Sequence, residues 1–510
     1  MGDSRVEEYA AKCGLRIVAD AAKGHRTVAA RRFARGQTIL SINPLYGFPV
    51  RATETTSAGD TGQHASVDPE ARCAHCFHTL PARYPQCSQC HSTQYCSTGC
   101  LTAHWAVRHH FECTATDAKA IDAAAAKVKP EYRPYLRMAA GVGATLSAKQ
   151  RPWWLKIQAA AWERLVSHRN AHPPHVLRQY AQIAAVLSEA GVMQGYTKDQ
   201  GSQADAIVTA LCRFGCNNFA AYDYSAHAVT GHLCSPVVSL LFNHSCFPNA
   251  SFVYSTADGC QVVHALGEIA EGDEVTLAYV DGMHPRTVRQ KTLSDVYFFA
   301  CACTRCEGAS ERGKIDSLLD RDAAGALPIN LPTDYAKHKP KLDPWAVAIV
   351  SELCQLASSA EPNKDSHRFD QNMLDAVNSE LPRDVSFAAY KHWLECQDEC
   401  LEKVSDGHPE ELWPWACVSS LYVLAFYAMA YPLHHPLVGT QCLEAAKITW
   451  NSMQVSNTTP ADGVDESLVK RLVLATQTIL EVSASPDASS SGAMSLTRQI
   501  ALLLDQLSSD

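Results

Sequence analysis

The 510-residue sequence lacks the features that define several large classes of protein. It carries 44 lysines and arginines against 53 aspartates and glutamates, and a net charge of −9 argues against nucleic-acid binding and suits a basic substrate. No basic N-terminal segment leads into an apolar run, as a secretory signal would. The most apolar stretch, residues 415–431, contains serines and is shorter than the roughly 20 residues of a membrane span. We therefore expect a globular protein with no membrane partner, in which this stretch is a buried helix.

Cysteine, by contrast, is abundant, with 21 residues. In a long chain without a secretory signal, metal binding or free buried thiols are more typical than a disulfide framework. Two short segments carry ten of these cysteines, and each segment has the spacing of metal ligands. The first extends over residues 73–113, and the second is CACTRC at 301–306.

The first segment holds four ligand pairs. A CxxC pair points two thiolates at one ion from a tight turn, and ligands four residues apart lie on one face of a helical turn. The pairs are Cys73 and Cys76, Cys87 and Cys90, Cys96 and Cys100, and His109 and Cys113. They are enough for two closed, structural zinc sites. Five other histidines are alternatives to His109: His75, His78, His91, His104 and His110.

The second segment offers three thiols, from Cys301, Cys303 and Cys306, and is one ligand short of a closed zinc shell. The fourth ligand has to come from a distant part of the chain. Cys246, at the centre of the polar stretch NHSCFPN at 243–249, is a candidate.

Several motifs in one order carry a family resemblance. NHSCFPN, then GDEVTLAYVD at 272–281 and YFFACACTRC at 297–306, resemble a SET-domain protein lysine methyltransferase. The segment with YCSTGC at 95–100 and Trp105 resembles a MYND zinc finger, although Leu101 stands where that family usually has glutamine. Together the motifs resemble the SMYD family, in which the finger interrupts the SET domain. The resemblance covers most of residues 20–306.

The resemblance has consequences for the metals. It implies a cross-braced finger, with one zinc on Cys73, Cys76, Cys96 and Cys100 and another on Cys87, Cys90, His109 and Cys113. It also implies that Cys246 completes a third zinc site with Cys301, Cys303 and Cys306. We therefore expect three zinc ions.

It also implies an S-adenosylmethionine site and two catalytic residues. Tyr279, ending the alternating strand EVTLAY, and Tyr297 are the expected catalytic residues beside the substrate lysine. An ordinary basic hairpin is the alternative for the KGHRT turn at 23–27, whose residues depart from the family pattern. The expected cofactor contacts are Lys23, Arg26, His168, Asn217, Asn243, His244, Tyr279 and Phe299.

We expect an α+β protein whose SET β-fold is interrupted by the finger and by a helical insert. The expected segments are 1–72 (N-terminal SET), 73–113 (finger), 114–204 (helical insert), 205–285 (SET core), 286–310 (post-SET zinc site) and 311–510 (C-terminal helices). Apolar spacing predicts about five amphipathic helices in the last segment, arranged as a tetratricopeptide-like array. Polar stretches at 51–70, 327–344 and 485–494 are predicted loops or linkers.

The predicted function is S-adenosylmethionine-dependent methylation of a protein lysine, histone or non-histone. A zinc-stabilised interaction scaffold without catalysis is the alternative. We expect a monomer in the cytoplasm or nucleus, a lysine-presenting protein or peptide as substrate, and a peptide partner at the finger or the C-terminal helices.

Overall fold

The computed structural model describes most of the chain. The described residues are 4–50, 71–115, 118–191, 203–224, 228–307, 316, 319–320, 345–359, 387–405, 412–455, 463–483 and 495–509. The stretches predicted as loops or linkers at 51–70, 327–344 and 485–494 lie outside the described residues.

Ten strands are described, all within the first 280 residues. They are β1 Leu15–Asp20, β2 Gly24–Ala29, β3 Thr38–Ile42, β4 Tyr46–Pro49, β5 Asn218–Asp223, β6 Ala228–Cys234, β7 Asn243–His244, β8 Ala250–Ser255, β9 Cys260–Ala265 and β10 Thr276–Leu277.

Helices surround these strands and account for nearly all the regular structure described after Leu277. They are α1 Arg5–Lys12, α2 Thr98–His104, α3 His110–Ala115, α4 Ala118–Ala126, α5 Arg133–Leu146, α6 Trp153–Arg164, α7 Pro174–Glu189, α8 Gln203–Gly215, α9 Pro236–Leu241, α10 Arg286–Tyr297, α11 Trp345–Ala357, α12 Phe387–Ser405, α13 Trp413–Ala430, α14 Pro436–Val455, α15 Glu466–Ser483 and α16 Leu496–Ser509. The mixture of strands and helices agrees with the predicted α+β class.

The first two strands form an antiparallel hairpin that carries the KGHRT residues. The Asp20 carboxylate accepts the backbone N–H groups of Ala22 and Lys23, both at 2.9 Å, which fixes the turn. Gly24 then takes φ of +77°, where a side chain would be strained. The turn is therefore ordered by local hydrogen bonds.

Two three-stranded sheets hold the rest of the β-structure, in the orders β4-β6-β5 and β3-β9-β8. In each of them an early strand pairs with a late one, as Tyr46 does with Cys234 and Ile42 with Gln261. The cysteine-rich segment 71–115 and helices α4 to α8 are therefore inserted between partners. A short parallel pair, β7 with β10, aligns Asn243 with Thr276 and His244 with Leu277.

The C-terminal helices α11 to α16 form a separate apolar core. Helices α11 to α15 include the five helices that apolar spacing predicts, whereas the sequence prediction missed α16. The prediction of a buried helix at residues 415–431 is confirmed, because α13 packs between α12 and α14 and is buried on all sides; unlike the other predicted helices it is therefore not amphipathic. Among the described residues, α13 is the one helix long and apolar enough to cross a membrane, and 83% of it is buried inside the protein.

Candidate functional site

Three groups of four side chains bring their ligand atoms within 4.8 Å of one another. Every metal ligand predicted from the sequence falls in one of them, in the predicted grouping. Finger cluster 1 is Cys73, Cys76, Cys96 and Cys100; finger cluster 2 is Cys87, Cys90, His109 and Cys113; the core cluster is Cys246, Cys301, Cys303 and Cys306.

The spacing of the ligand atoms fits a tetrahedral zinc ion. In finger cluster 1 the sulfur atoms of Cys76 and Cys96 lie 3.6 Å apart. The corresponding distances are 3.7 Å between Cys87 and Cys113 in finger cluster 2 and 3.5 Å between Cys246 and Cys306 in the core cluster. Zinc–sulfur bonds of about 2.3 Å place two sulfurs about 3.8 Å apart, whereas a disulfide would place them at about 2.05 Å. The sulfur of Cys90 lies 3.6 Å from Nε2 of His109, which also suits a shared ion.

Each CxxC turn in the finger has the same local structure. Phe77 and His91 follow the two turns with φ of +65° and +52°. Their N–H groups donate to the carbonyls of Cys73 and Cys87, both at 3.0 Å. Residues other than glycine take this conformation only when surrounding structure holds it. The two turns therefore present paired thiolates from closed, strained backbone loops.

A π-helical turn, Trp105–His109, decides which histidine joins finger cluster 2. Such a turn accommodates one extra residue in a helix, and Trp105 lies one residue further from His109 than is usual in the resembling family. The alternatives have other roles. His104 lies 3.0 Å from the Tyr95 hydroxyl, and His110 lies 2.6 Å from the Trp105 carbonyl.

The core cluster adjoins a buried ionic group. Arg289 and Arg305 both bind the Asp316 carboxylate, at 2.6 and 2.8 Å, and both arginine side chains are fully buried. Arg305 also donates to the carbonyl of Cys246 at 3.3 Å and to that of Ala430, the last residue of α13, at 2.9 Å. Two arginines and one aspartate carry a net charge of +1, which would offset half of the −2 charge of four thiolates around a divalent ion.

The β7–β10 pair places Tyr279 beside His244. The N–H of Tyr279 donates to Nδ1 of His244 at 2.9 Å, so Nε2 of the neutral ring carries the proton, 3.2 Å from the sulfur of Cys246. Burial lowers the pKa of His244 to about 4 and keeps the ring neutral. This histidine therefore connects the predicted catalytic tyrosine to the core cluster.

Tyr279 itself is held by its hydroxyl, which donates to the carbonyl of Phe242 at 2.5 Å. Burial, with a smaller contribution from Tyr297, raises the pKa of Tyr279, so the hydroxyl stays protonated. The Tyr297 hydroxyl donates to the Tyr279 carbonyl at 3.2 Å, and the two rings lie 5.1 Å apart. Phe299 meets Tyr279 edge-on at 6.5 Å. Tyr279, Tyr297 and Phe299 therefore form one aromatic group.

Asn243 is fixed by two acceptors that the sequence reasoning missed. Its amide donates to the His25 carbonyl at 2.9 Å and to the Glu274 carboxylate at 3.0 Å. The other oxygen of Glu274 binds the Lys23 ammonium at 2.7 Å. Lys23 and Asn243, both predicted cofactor contacts, are thereby brought together by Glu274.

Arg26 does not join this group. Its side chain is 44% exposed and lies 3.8 Å from Asp20 on the outer face of the hairpin. Alternation along β2 turns His25 inward instead, where Nε2 lies 2.6 Å from the Leu240 carbonyl. The sequence located the turn, but it did not show which side chains of β2 point inward, because that depends on the register of the hairpin.

His168 and Asn217 lie at the ends of the helices that border the site. His168, at φ +48°, stacks on Phe298, at φ +62°, with ring centroids 5.1 Å apart. Asn217 donates to the Arg213 carbonyl at 2.7 Å and thus closes the end of α8. His168 is therefore in contact with the segment that carries Tyr297 and Phe299.

A cleft of about 170 Å³ opens next to Tyr279. Its walls come from strands β5 and β8, from the end of β10 and from the C-terminal helices. The lining residues are Ala220, Tyr222, Tyr224, Pro248, Ala250, Ser251, Phe252, Val253, Tyr254, Leu277, Ala278 and His435.

The SET domain family model matches residues 26–280, which are half of the chain, so the protein belongs to the SET domain family. It is 24% identical to "Histone-lysine N-methyltransferase ASHR1" of Arabidopsis thaliana over 84% of this chain and 85% of that protein. It is 26% identical to "N-lysine methyltransferase SMYD2-B" of Danio rerio, over 68% and 73%. With "Histone-lysine N-methyltransferase SMYD3" of Mus musculus, the identity is 28% over 71% and 74%. The chain is thus a SMYD-type SET protein.

Proposed function

We propose that this protein is an S-adenosylmethionine-dependent protein-lysine N-methyltransferase. The observation that carries the proposal is the position of the Tyr279 hydroxyl. It donates its proton to the Phe242 carbonyl and keeps its oxygen lone pairs as acceptors within an aromatic group. The amine of a substrate lysine can donate to that oxygen, which directs the nitrogen lone pair away from it and towards the cofactor.

Tyr297 and Phe299 complete the proposed lysine channel around Tyr279. A free lysine amine has a pKa of about 10.4 and must lose its proton before it can react. An apolar channel disfavours the charged form and so lowers that pKa. The aromatic walls therefore prepare the nucleophile, and they also exclude water from the transfer.

The residues present fit S-adenosylmethionine. The sulfonium cofactor supplies an activated methyl group. Lys23 would provide a positive charge for its carboxylate, Asn243, His244 and Asn217 polar contacts, and His168 and Phe299 aromatic surface. Arg26 is left out of the proposed set because it faces away.

The finer structural assignments belong to the same proposal. The ligand geometry and the all-sulfur or sulfur-and-nitrogen donor sets support three zinc ions, two of them in a cross-braced MYND finger. The consecutive packing of α12 to α16 supports a tetratricopeptide-like C-terminal array. The segment boundaries, the monomeric state and a cytoplasmic or nuclear location stay predictions.

Thermal unfolding with S-adenosylhomocysteine tests the cofactor site, since a ligand that binds only the folded state raises the melting temperature. Tritiated S-adenosylmethionine with a lysate from cells lacking the protein tests transfer to lysine. We expect a raised melting temperature and labelled protein bands. Stabilisation without labelling would support the cofactor site and favour the scaffold function. Absence of stabilisation would contradict the cofactor site.

A further inference from the structure

The cleft beside Tyr279 lies between two sheet edges. Strand β5 is an edge of the sheet β4-β6-β5, and β8 is an edge of β3-β9-β8. Tyr222 and Tyr224 contribute the β5 wall, Tyr254 lies on the β8 wall, and Ala278 directly precedes Tyr279. A substrate whose lysine reaches Tyr279 would therefore have neighbouring side chains at this cleft.

A carboxylate without a cationic partner lies behind this cleft, next to Tyr431, whose ring stacks on the lining residue His435. Asp281 accepts hydrogen bonds from the Tyr431 hydroxyl and, at 2.8 Å, from the Met283 N–H. Within the part of the chain that the structure describes, no lysine or arginine forms an ion pair with it. Burial and then the Asp281 charge raise the pKa of Tyr431, and Asp281 also contributes to the raised pKa of the buried Tyr222. Asp281 is therefore one side chain removed from His435 and acts electrostatically on Tyr222, and both of these residues line the cleft.

The other titratable groups of the cleft carry no positive charge. His435 stacks on Tyr431 at 4.7 Å, and burial lowers its pKa to about 3, so it is neutral. The tyrosines present electron-rich ring faces, which attract cations. Carboxylate and rings together give the cleft a negative potential.

A second observation indicates a missing ligand. Ser251 lines the cleft, its side chain is 8% exposed, and its hydroxyl is buried with no hydrogen-bond partner among the described residues. Buried hydroxyl groups are nearly always hydrogen-bonded, so this one is placed to bind a polar group that enters the cleft.

We propose that the cleft binds a second basic side chain of the substrate, two residues from the methylated lysine. This inference rests on the proposed lysine methyltransferase function. In an extended peptide, side chains two residues apart share one face at about 6.8 Å, so a lysine at Tyr279 places its second neighbour at the cleft, which begins at Ala278. A volume of about 170 Å³ accommodates one long side chain. Preferred substrates are therefore lysines with an arginine or lysine at position −2 or +2.

Alanine-based nine-residue peptides with a central lysine test this inference. One carries arginine two positions before and after the lysine, and the other carries citrulline, which keeps the shape and loses the charge. We expect wild type to methylate the arginine peptide about tenfold faster, since a partly desolvated cation in such a site gains 1 to 2 kcal/mol. Asp281→Asn should reduce the ratio to about twofold. Glu268→Gln, a carboxylate paired with Arg32 elsewhere, is the control and should leave the ratio unchanged.

Peptide binding in the presence of S-adenosylhomocysteine, measured by calorimetry, repeats the comparison without catalysis. Tighter binding of the arginine peptide with no methylation of either peptide would count against the proposed function and still support the cleft. Equal rates and equal affinities for both peptides in wild type would overturn the inference, as would an unchanged preference in folded Asp281→Asn protein.

Discussion

The finger clusters and the core cluster have similar ligands, which are all cysteines except for His109, but they have different surroundings. The side chains packed around the finger clusters come from the finger itself, such as Tyr95, Leu80 and Trp105. The side chains packed around the core cluster are Tyr279, Tyr297 and Phe299 of the proposed active site. A metal ion in a finger cluster would therefore stabilise the finger, whereas one in the core cluster would stabilise the proposed active site.

Arg305 extends this difference to the C-terminal helices. It lies between Cys303 and Cys306, and its guanidinium reaches both the Cys246 carbonyl and the carbonyl end of α13. Carbonyl groups at the end of a helix carry partial negative charge, which a cation stabilises. Among the residues the structure describes, the finger clusters make no comparable contact with those helices. Loss of a metal ion from the core cluster should therefore affect the segment 301–306, the proposed active site and the C-terminal helices together.

The largest predicted effect separates the two kinds of cluster. Cys246→Ser should lose one metal ion and, because ligation energy is folding energy, disorder the active site. We expect methyl transfer to fall more than a hundredfold and stabilisation by S-adenosylhomocysteine to disappear. Cys90→Ser should also lose metal but keep that stabilisation. Metal analysis and thermal melting check both, and equal loss of cofactor binding in the two variants would contradict the comparison.

Arg305→Met should give the next largest effect. Removing one partner of a buried ionic group leaves the rest uncompensated and costs about 3 to 5 kcal/mol. Guanidinium unfolding should show this loss, and hydrogen exchange should rise at the end of α13. Arg32→Met, which breaks an exposed ion pair with Glu268, should change stability little. Similar losses in both variants would show that Arg305 does not connect the regions.

Tyr279→Phe should separate chemistry from metal binding. The ring still packs against the core cluster, but the orienting hydroxyl is gone, which is worth about 2 to 4 kcal/mol or roughly thirty-fold to a thousand-fold in rate. Metal content and S-adenosylhomocysteine affinity should match wild type. Because burial raises the pKa of Tyr279, wild-type activity should rise with pH as the substrate amine deprotonates, without a decline near pH 10. Unchanged rates would remove Tyr279 from catalysis.

The smallest effect concerns the hairpin. Lys23→Met should weaken binding of S-adenosylhomocysteine about threefold to tenfold, since one charge-assisted contact is lost near the surface. Arg26→Met is the matched control three residues along the same turn and should bind normally. Neither variant should change metal content. Calorimetric titration checks the order, and a larger effect of Arg26→Met would mean that the hairpin presents its other face to the cofactor.

The metal ligands could be predicted from the sequence alone only where they lie close together along the chain. The ligand pairs of the finger are local, so spacing alone grouped Cys73 with Cys76 and Cys87 with Cys90. Spacing alone left several histidines open, and the π-helical turn before His109 showed which of them joins the cluster. The Cys246 ligand was distant and needed the family resemblance.

Other features depend on contacts that no local pattern carries. Glu274 meets Lys23 and Asn243 only because the hairpin and the β7–β10 pair come together. Tyr222 and His435 share a cleft because two sheet edges and the turn between α13 and α14 meet there. The Arg289–Asp316–Arg305 group joins residues that look like ordinary surface charges in the sequence. Burial changes the meaning of a charge, and burial is a property of the whole fold.

The pairing of early strands with late ones sets the order in which the protein can fold. Strand β4 must wait for β6 and β3 for β9, after the finger and helices α4 to α8 have been synthesised. Contacts so far apart in sequence make folding slow, because a long loop has to close first. The segment between β4 and β6 closes at a lower entropy cost once the finger has bound metal and the inserted helices have packed, because less of it is then flexible. Pulse-labelled hydrogen exchange during refolding should therefore protect the β1–β2 hairpin and the finger before β4, and zinc added at the start should speed the appearance of the β4–β6 pair.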